Sequence, residues 1–357
     1  MELPSNFSIF RSICKSFFTI IRLIFEGIFY GIVKLFLFWK HVKPEGKAIF
    51  ITGCDSGFGN ATARKLDAKG FHVFAACLFP LGPGATQLSQ ETSEHLKIVG
   101  LDVTSEESVL KALEFVKNNL GHCNLWAVIN NAGIYKGLAV ELSSLQEFRD
   151  CMEVNAFGPI RVTKAFLPLI RKVKGRVVNV TSYGGRMAVP HMTPYIVSKF
   201  AAVAFNDCLR REMVDWGVRV ISIEPEAFNT PMANNETRIK TFDEEIASLD
   251  STIIDDYGLE YFKQYRKMML MGGDLVAPNI YRVVDALYSA VSSKYPDSIY
   301  MPCRNYLTEL CNVLAINSPV CMQDFGTQIF SAFVNMPKPK GATEDFEEVF
   351  SEKNLTK

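Results

Sequence analysis

The run Lys47-Ala-Ile-Phe-Ile-Thr52, followed at once by Gly53-Cys54-Asp55-Ser56-Gly57-Phe58-Gly59, restricts the fold of this chain more than any other feature. Six largely apolar residues suit a strand buried on both faces. Three glycines in the next seven positions suit a tight turn, and Asn60-Ala-Thr-Ala-Arg-Lys-Leu66 then has helical character. Strand, glycine loop and helix in that order are what a dinucleotide site needs. The glycines let backbone N–H groups approach a pyrophosphate, whose charge sits at the helix N-terminus. A structural turn is the plainer reading of an isolated glycine pattern; the flanking context favours the nucleotide.

Further segments fit the same sheet. Residues 71–77 form a second apolar run after Gly70. Residues 125–129 run into Asn130-Asn131-Ala132-Gly133, and the β-branched 175–180 run into Thr181-Ser182. These alternate with helical stretches at 105–120 and 145–172. The alternation predicts an α/β fold, a doubly wound parallel sheet of Rossmann type with helices on both faces. Ligands of such sheets bind beyond the carboxyl ends of the strands. The glycine loop, Gly133 and Ser182 all fall at those ends.

Ser182 stands 13 residues before Tyr195, and Lys199 stands four after it. On a helix, i and i+4 share a face, so the ammonium and the phenol are one turn apart. A free phenol with a pKa of about 10 is a poor base at neutral pH. A nearby cation favours the tyrosinate. Bringing the pKa toward 7 asks for roughly 4 kcal/mol of differential interaction, at about 1.36 kcal/mol per unit. Tyr195 then becomes a general acid or base, and Ser182 can hydrogen-bond the oxygen that gains or loses the proton. Tyr-x-x-x-Lys is common on helix surfaces, so the triplet draws its meaning from the nucleotide loop upstream.

Thr-Gly-x-x-x-Gly-x-Gly, Asn-Asn-Ala-Gly and Ser with Tyr-x-x-x-Lys, in this order, resemble the short-chain dehydrogenase/reductases over roughly residues 47–302. Thr52–Gly59 followed by Gly70-Phe-x-Val-Phe-Ala looks like the branch of retinol, hydroxysteroid and 3-hydroxybutyrate dehydrogenases. The segments 166–171, 175–179, 207–210 and 256–258 look most like the 3-hydroxybutyrate enzymes. The resemblance implies Tyr195 as catalytic acid/base. It implies Lys199 as the group that lowers its pKa and binds the nicotinamide ribose, and Ser182 as the group that orients the substrate oxygen. Asn155 matches an asparagine that holds a water for proton relay, Asp102 a residue near the adenine ring, and Asn131 an asparagine that steadies the central sheet. Thr52, Gly53, Asp55, Ser56, Gly57, Phe58, Gly59, Ala132 and Gly133 complete the implied cofactor cradle, and Thr230 stands where the family threonine contacts the carboxamide. One departure is Pro225-Glu226, where the family usually has Pro-Gly. Glycine accepts backbone angles that glutamate resists, so this loop is expected to take a different path.

An NADP site needs a cation for the 2′-phosphate. The glycine loop carries Asp55 instead, and residues 71–96 contain no Lys or Arg. Both favour NAD. The acidic residue that usually closes the second strand is missing, with Cys77-Leu78-Phe79 in its place, leaving Asp55 or backbone to meet the ribose.

The chain of 357 residues carries 38 basic and 38 acidic residues, so nothing points to nucleic acid. Nine cysteines are scattered without Cys-x-x-Cys, which suits free thiols rather than a metal or disulfide framework. Cys151 and Cys208 read as packing residues. Residues 1–46 form a hydrophobic anchor segment, greasiest over 16–39. No alanine precedes Ala48, so a cleaved signal peptide is disfavoured. The length suits a spanning helix, but Arg22, Glu26 and Lys34 interrupt it. At about 100° per residue the charges of 11–40 fall within roughly 140° of one face, as in a helix lying in the membrane interface. The Ser- and Arg-containing first 25 residues also suit a mitochondrial transit peptide. The longer apolar run favours the endoplasmic reticulum, with the mitochondrion as alternative.

Residues 47–335 read as one domain, with 231–276 as a lid over the substrate and 336–357 as a disordered tail. Tyr257, Tyr261, Phe262, Met268, Met269 and Met271 are candidates to line an apolar pocket. Arg186, His191, Arg238 and Lys240 are the candidates to hold a carboxylate. The apolar stretch 306–334 covers the pocket, joins a homo-oligomer or touches the membrane. Together these predict a membrane-attached NAD(H)-dependent alcohol dehydrogenase acting on a steroid, sterol or retinoid. The alternatives are (R)-3-hydroxybutyrate oxidation and a non-catalytic NAD-binding protein.

Overall fold

The computed structural model describes residues 40–233, 235–272, 276–340 and 342. The anchor segment through residue 39 and most of the expected tail lie outside these. Seven strands, β1 (Lys47–Thr52), β2 (His72–Cys77), β3 (Leu96–Gly100), β4 (Asn124–Asn130), β5 (Arg176–Val180), β6 (Arg219–Ile223) and β7 (Ile299–Tyr300), form one parallel sheet in the order β3-β2-β1-β4-β5-β6-β7. Every connection is therefore a crossover, and the expected doubly wound sheet is present.

Side chains alternate across the sheet with the period of two that a strand imposes. Ile49 and Ile51 face one layer, Ala48 and Phe50 the other, and all four are fully buried. The first layer is made by α1 (Gly57–Ala68), α2 (Pro83–Glu91) and a late helix α10 (Tyr281–Ser292), through Leu66, Leu88, Val283 and Leu287. The second is made by α3 (Glu106–Asn119), α5 (Gly158–Lys172) and α6 (Thr193–Glu212), through Val109, Val116, Phe166 and Leu209. Phe50 stacks on Phe166 with centroids 4.4 Å apart. A strand covered on both sides has no polar face to show, which is why β1 reads as a continuous apolar run.

Caps fix where the helices start. The Ser105 side chain accepts from the Ser108 N–H at the head of α3, and Ser144 with Glu147 forms a capping box on α4 (Leu145–Met152). The chain runs outward from β1 to β3, then returns to β4 on the other side of β1. This reversal opens a crevice between the carboxyl ends of β1 and β4.

Three helices, α7 (Asn235–Ala247), α8 (Ser251–Tyr257) and α9 (Leu259–Gly272), occupy the expected lid. They carry a small core of their own: Phe242, Tyr261, Phe262, Tyr265 and Met269 close on Leu138 and Leu142 from the loop after β4. Tyr261 and Phe262 therefore hold the lid together, where the sequence reading had offered them as pocket wall. The side chain of Met271 lies outside what is described. Two final helices, α11 (Tyr306–Ile316) and α12 (Val320–Phe333), bury no residue; Leu307, Leu314 and Phe333 stay 70%, 62% and 79% exposed. Among the described residues no helix is long and apolar enough to cross a membrane. Cys151 is buried as expected, whereas Cys208 is exposed on α6 and is not a packing residue.

Candidate active site

The loop after β1 turns on glycines in the left-handed region, with φ +70° at Gly53 and +60° at Gly57. Close approach fixes the third: a Cβ on Gly59 would stand 2.3 Å from the Gly53 carbonyl oxygen and 2.5 Å from Asn131 Nδ2. Asn131 is the clasp. Its side chain donates to the carbonyls of Thr52 and Gly53 at 2.8 and 3.0 Å, while Thr52 Oγ1 accepts from the N–H groups of Asn131 and Ala132, both at 3.0 Å. The ends of β1 and β4 are thereby locked together at the crevice. Ser56, with φ −164°, is the N-cap residue of α1, and its side chain makes no capping bond. Thr230 lies over the same turn, its Cβ 3.7 Å from where a Gly57 Cβ would stand.

This cradle fits a dinucleotide. Its glycines leave backbone bare at a helix N-terminus. Gly133, at the end of β4, looks toward Asn155 Oδ1 and Lys199 Nζ, which would lie 3.2 and 3.7 Å from an added Cβ. Asp55 does not project freely into it: its carboxylate accepts from the N–H groups of Leu78 and Phe79, each at 2.9 Å, and so caps the end of β2. Asp102 accepts from the N–H and the hydroxyl of Thr104 just past β3, at the same end of the sheet.

Asn155 sits in a π-helical turn, Glu153–Phe157, between α4 and α5. Such insertions recur at functional sites. Its side chain is buried and fully engaged. Oδ1 accepts from the Ile134 N–H at 2.8 Å, and Nδ2 donates to the Ile134 carbonyl and to Ser198 Oγ, both at 2.9 Å. It thus fastens the β4 loop to α6.

Ser182 follows β5 and opens a short 3-10 turn, Tyr183–Gly185. That turn abuts α6 because it is made of glycine: a Cβ on Gly185 would lie 2.7 Å from the Lys199 carbonyl oxygen. The contact brings Ser182 beside Tyr195: Ser182 Oγ and Tyr195 Cε1 would lie 3.5 and 4.0 Å from a Cβ on Gly184. The Lys199 ammonium sits 5.6 Å from the Tyr195 ring centroid and donates to the Val180 carbonyl at 3.2 Å. The three residues expected from the sequence are therefore together, at the mouth of the crevice.

The electrostatics of this trio differ from expectation. Burial pushes the Tyr195 phenol up from its ordinary range, the neighbouring Ser182 hydroxyl pulls it down, and Lys199 is not among the groups that move it. The ammonium lies against the ring and the Val180 carbonyl, and its own burial pushes it down to about 8. The sign of that shift gives a prediction. Below pH 8 folded and unfolded chains both hold the proton, and the folded chain bears the burial cost in full. As pH rises from 8 toward 10.5, the folded chain sheds the proton first and the cost shrinks. Lys199→Met is therefore expected to stabilise the chain at pH 7 by roughly 1–3 kcal/mol, with the gain fading by pH 10, while activity is lost. Thermal midpoints across that pH range check it; a midpoint lowered at pH 7 contradicts it.

The ring of Tyr135 stands 5.5 Å from that of Tyr195 and leads into a cleft under the lid, with walls formed by Leu138, Met232, Phe242, Glu245 and Met269. Tyr135, Met232 and Glu245 were not foreseen; only the proximity of Tyr135 to the Asn-Asn-Ala-Gly motif could have pointed to it. The proposed carboxylate holders are elsewhere. Arg186 pairs with Glu224 and Asp207. His191 packs beside Tyr265, and burial pushes its imidazole below the usual range. Lys240 is exposed, 3.9 Å from Glu244; the side chain of Arg238 lies outside what is described. Glu226 needs no glycine-like angle: among the described residues the non-glycine ones with positive φ are Lys174, His191 and Asn335. Its carboxylate instead accepts from the Arg304 N–H and ties the loop to the segment after β7.

Comparison with known proteins agrees with this geometry. The sequence profile described as short chain dehydrogenase matches residues 47–240. "Dehydrogenase/reductase SDR family member 9" of Homo sapiens is 41% identical over 283 residues, covering 78% of this chain and 86% of that one. "Estradiol 17-beta-dehydrogenase 2" of Mus musculus is 36% identical, covering 83% and 77%, and "Retinol dehydrogenase 16" of Rattus norvegicus is 39% identical, covering 76% and 85%. Among solved structures, a short chain dehydrogenase from Burkholderia cenocepacia in complex with NADP superposes with a TM-score of 0.56 at 24% identity, over 82% of this chain and 99% of that one. The 3-ketoacyl-(acyl-carrier-protein) reductase from Brucella melitensis complexed with NADH superposes with a TM-score of 0.50 at 28% identity, over 53% and 78%. The locked crevice between β1 and β4 and the joined Ser182, Tyr195 and Lys199 thus have a common explanation: the chain belongs to the short-chain dehydrogenase family, in the branch of hydroxysteroid and retinol dehydrogenases.

Proposed function

We propose that this chain is a membrane-attached, NAD(H)-dependent dehydrogenase that interconverts a hydroxyl and a carbonyl on an apolar substrate, a steroid, sterol or retinoid. One observation carries the reading: Ser182 and Tyr195 lie side by side, with the Lys199 ammonium beside the phenol ring, at the crevice where a nicotinamide would lie. The nicotinamide supplies the hydride acceptor when bound. The chain moves the proton. Tyr195 accepts it from the substrate hydroxyl during oxidation and returns it during reduction, and Ser182 holds the reacting oxygen against the phenol. Lys199 binds the ribose from the next turn of α6, its ammonium held by the Val180 carbonyl. Asn155 keeps the β4 loop and α6 in register, with Gly133 facing its side-chain oxygen. Thr52 to Gly59, Asp102, Asn131 to Gly133 and Thr230 hold the rest of the nucleotide.

Asp55 supports the choice of NAD. A carboxylate pinned at the end of β2 repels a 2′-phosphate and leaves no cation to receive it. NADH is expected to bind at least about tenfold more tightly than NADPH, a difference of about 1.4 kcal/mol. Fluorescence titration of both checks this, and equal affinities would sink the assignment. Membrane attachment draws on the greasy segment 16–39 and on the exposed apolar side chains of α11 and α12. The endoplasmic reticulum is the favoured address. Steroids and retinol in an NAD-linked panel on membrane-reconstituted protein test the substrate class. Strong turnover of 3-hydroxybutyrate with none on steroids or retinol would overturn it.

A further inference from the structure

We propose that Glu226 is a positioning residue for the nicotinamide half of the cofactor: its carboxylate, clasped to the Arg304 N–H, holds the strap 225–232 across the crevice. This role rests on the dehydrogenase reading above, and it falls on the residue where the chain departs from the Pro-Gly pattern it resembles. The strap leaves β6 and meets the site at four points in turn. The Pro225 carbonyl accepts the Tyr183 N–H at 3.0 Å, one residue past Ser182. The buried Phe228 meets Phe58 of the glycine loop edge-on, with ring centroids 6.0 Å apart. Thr230 Cβ stands 3.7 Å from where a Gly57 Cβ would be, and Met232 Cε 3.8 Å from a Gly133 Cβ. The course of the strap past Ser182, Gly57 and Gly133 therefore bounds the end of the crevice where hydride transfer takes place.

Backbone pairing holds the middle of the strap. The Ala277 N–H donates to the Ala227 carbonyl at 2.8 Å, and the Asn229 N–H to the Ala277 carbonyl at 2.9 Å. The outer side of its start is held by Glu226. The Glu226 N–H reaches the Pro302 carbonyl at 3.3 Å, and Arg304 Nε lies 3.4 Å from Glu226 Oε1. Both contacts are long, so the bond that this oxygen accepts from the Arg304 N–H is the firm one. The Glu226 side chain is only 11% exposed, which keeps water from competing for that bond. The gripped segment is itself fixed. Arg282 of α10 donates to the Arg304 carbonyl at 3.0 Å and lies over the Tyr306 ring at 5.0 Å. Asn312 of α11 donates to the sulfur of the buried Cys303 at 3.4 Å. A glycine at 226 has no side chain with which to reach this anchor. Without the clasp, the strap must be ordered when the cofactor binds, and that ordering is subtracted from affinity.

The test titrates the reconstituted full chain by calorimetry with NADH and with ADP-ribose, which lacks the nicotinamide. Glu226→Ala is expected to raise the Kd for NADH by about tenfold and that for ADP-ribose by no more than about twofold. A role in the fold alone would move both ligands together. Glu226→Gln keeps an acceptor oxygen for the Arg304 N–H and should bind NADH within about threefold of wild type. Equal NADH affinity in wild type and Glu226→Ala overturns the assignment alone. So does an equal loss on both ligands, or a Glu226→Gln variant no better than Glu226→Ala. If wild type binds neither ligand, the dehydrogenase reading falls with it. Should Glu226→Ala fail to fold, Glu226→Gly is titrated in its place with the same expectations.

Discussion

Tyr195→Phe is expected to lower kcat by about 10²–10⁴-fold, the usual weight of a positioned acid or base. The substitution removes one oxygen. It leaves the ring packed beside Tyr135 and the Lys199 ammonium over its face. NADH affinity should therefore stay within about twofold and the thermal midpoint within a few degrees, the scale of one lost polar contact. The phenol is the only group of the trio able both to accept and to return a proton at the reacting oxygen; Ser182 already accepts the Gly184 N–H at 3.1 Å. Because burial pushes the phenol up, wild-type oxidation is expected to gain as pH rises, and the variant's residual rate to lose that dependence. A variant that keeps a tenth or more of wild-type turnover would remove Tyr195 from the chemistry. It would also revive the reading of a protein that binds NAD without catalysis.

Arg186→Met is the second large effect, and it falls on stability. Glu224 is 1% exposed at the end of β6, where an isolated charge is costly. The Arg186 guanidinium satisfies it with a fork: Nε lies 3.2 and 3.1 Å from the two carboxylate oxygens and Nη2 2.9 Å from one of them. Nη1 reaches Asp207 on α6 at 3.1 Å. Removing the cation strands a buried carboxylate, which costs about 3–5 kcal/mol. That is a large part of the 5–15 kcal/mol by which domains are usually stable. Arg186 also closes the turn that begins at Ser182, so residual activity should fall with the fold. Denaturant midpoints give the measurement. The double variant with Glu224→Gln is expected to recover part of the loss, because no buried charge is left unpaired. A single variant within 1 kcal/mol of wild type would show that the pair is solvated in solution.

The same arginine shows where sequence reading stops. As a lone cation four residues past Ser182, Arg186 looked available to a substrate carboxylate. Its partners lie 38 and 21 residues away, and only the meeting of the turn after β5, the end of β6 and α6 commits it. Asp55 repeats the lesson. Its sign was legible as hostile to a 2′-phosphate, but its task of capping β2 depends on two N–H groups 23 and 24 residues on. Tyr261 and Phe262 were legible as apolar; that they face each other inside the lid was not.

What the residues determined by themselves was whatever lies in short range. The apolar run of β1, the left-handed glycines of its loop, the one-turn spacing of Tyr195 and Lys199 and the order of strands and helices follow from local sterics and periodicity, which consecutive residues carry in full. The tertiary structure alone decided which charges are consumed and which remain for a ligand. It tied Arg186 to Glu224 and Asp207, and it laid the Lys199 ammonium beside the Tyr195 ring and against the Val180 carbonyl. Burial and partnership are properties of neighbours in space, and the chain brings those neighbours from segments that share no pattern.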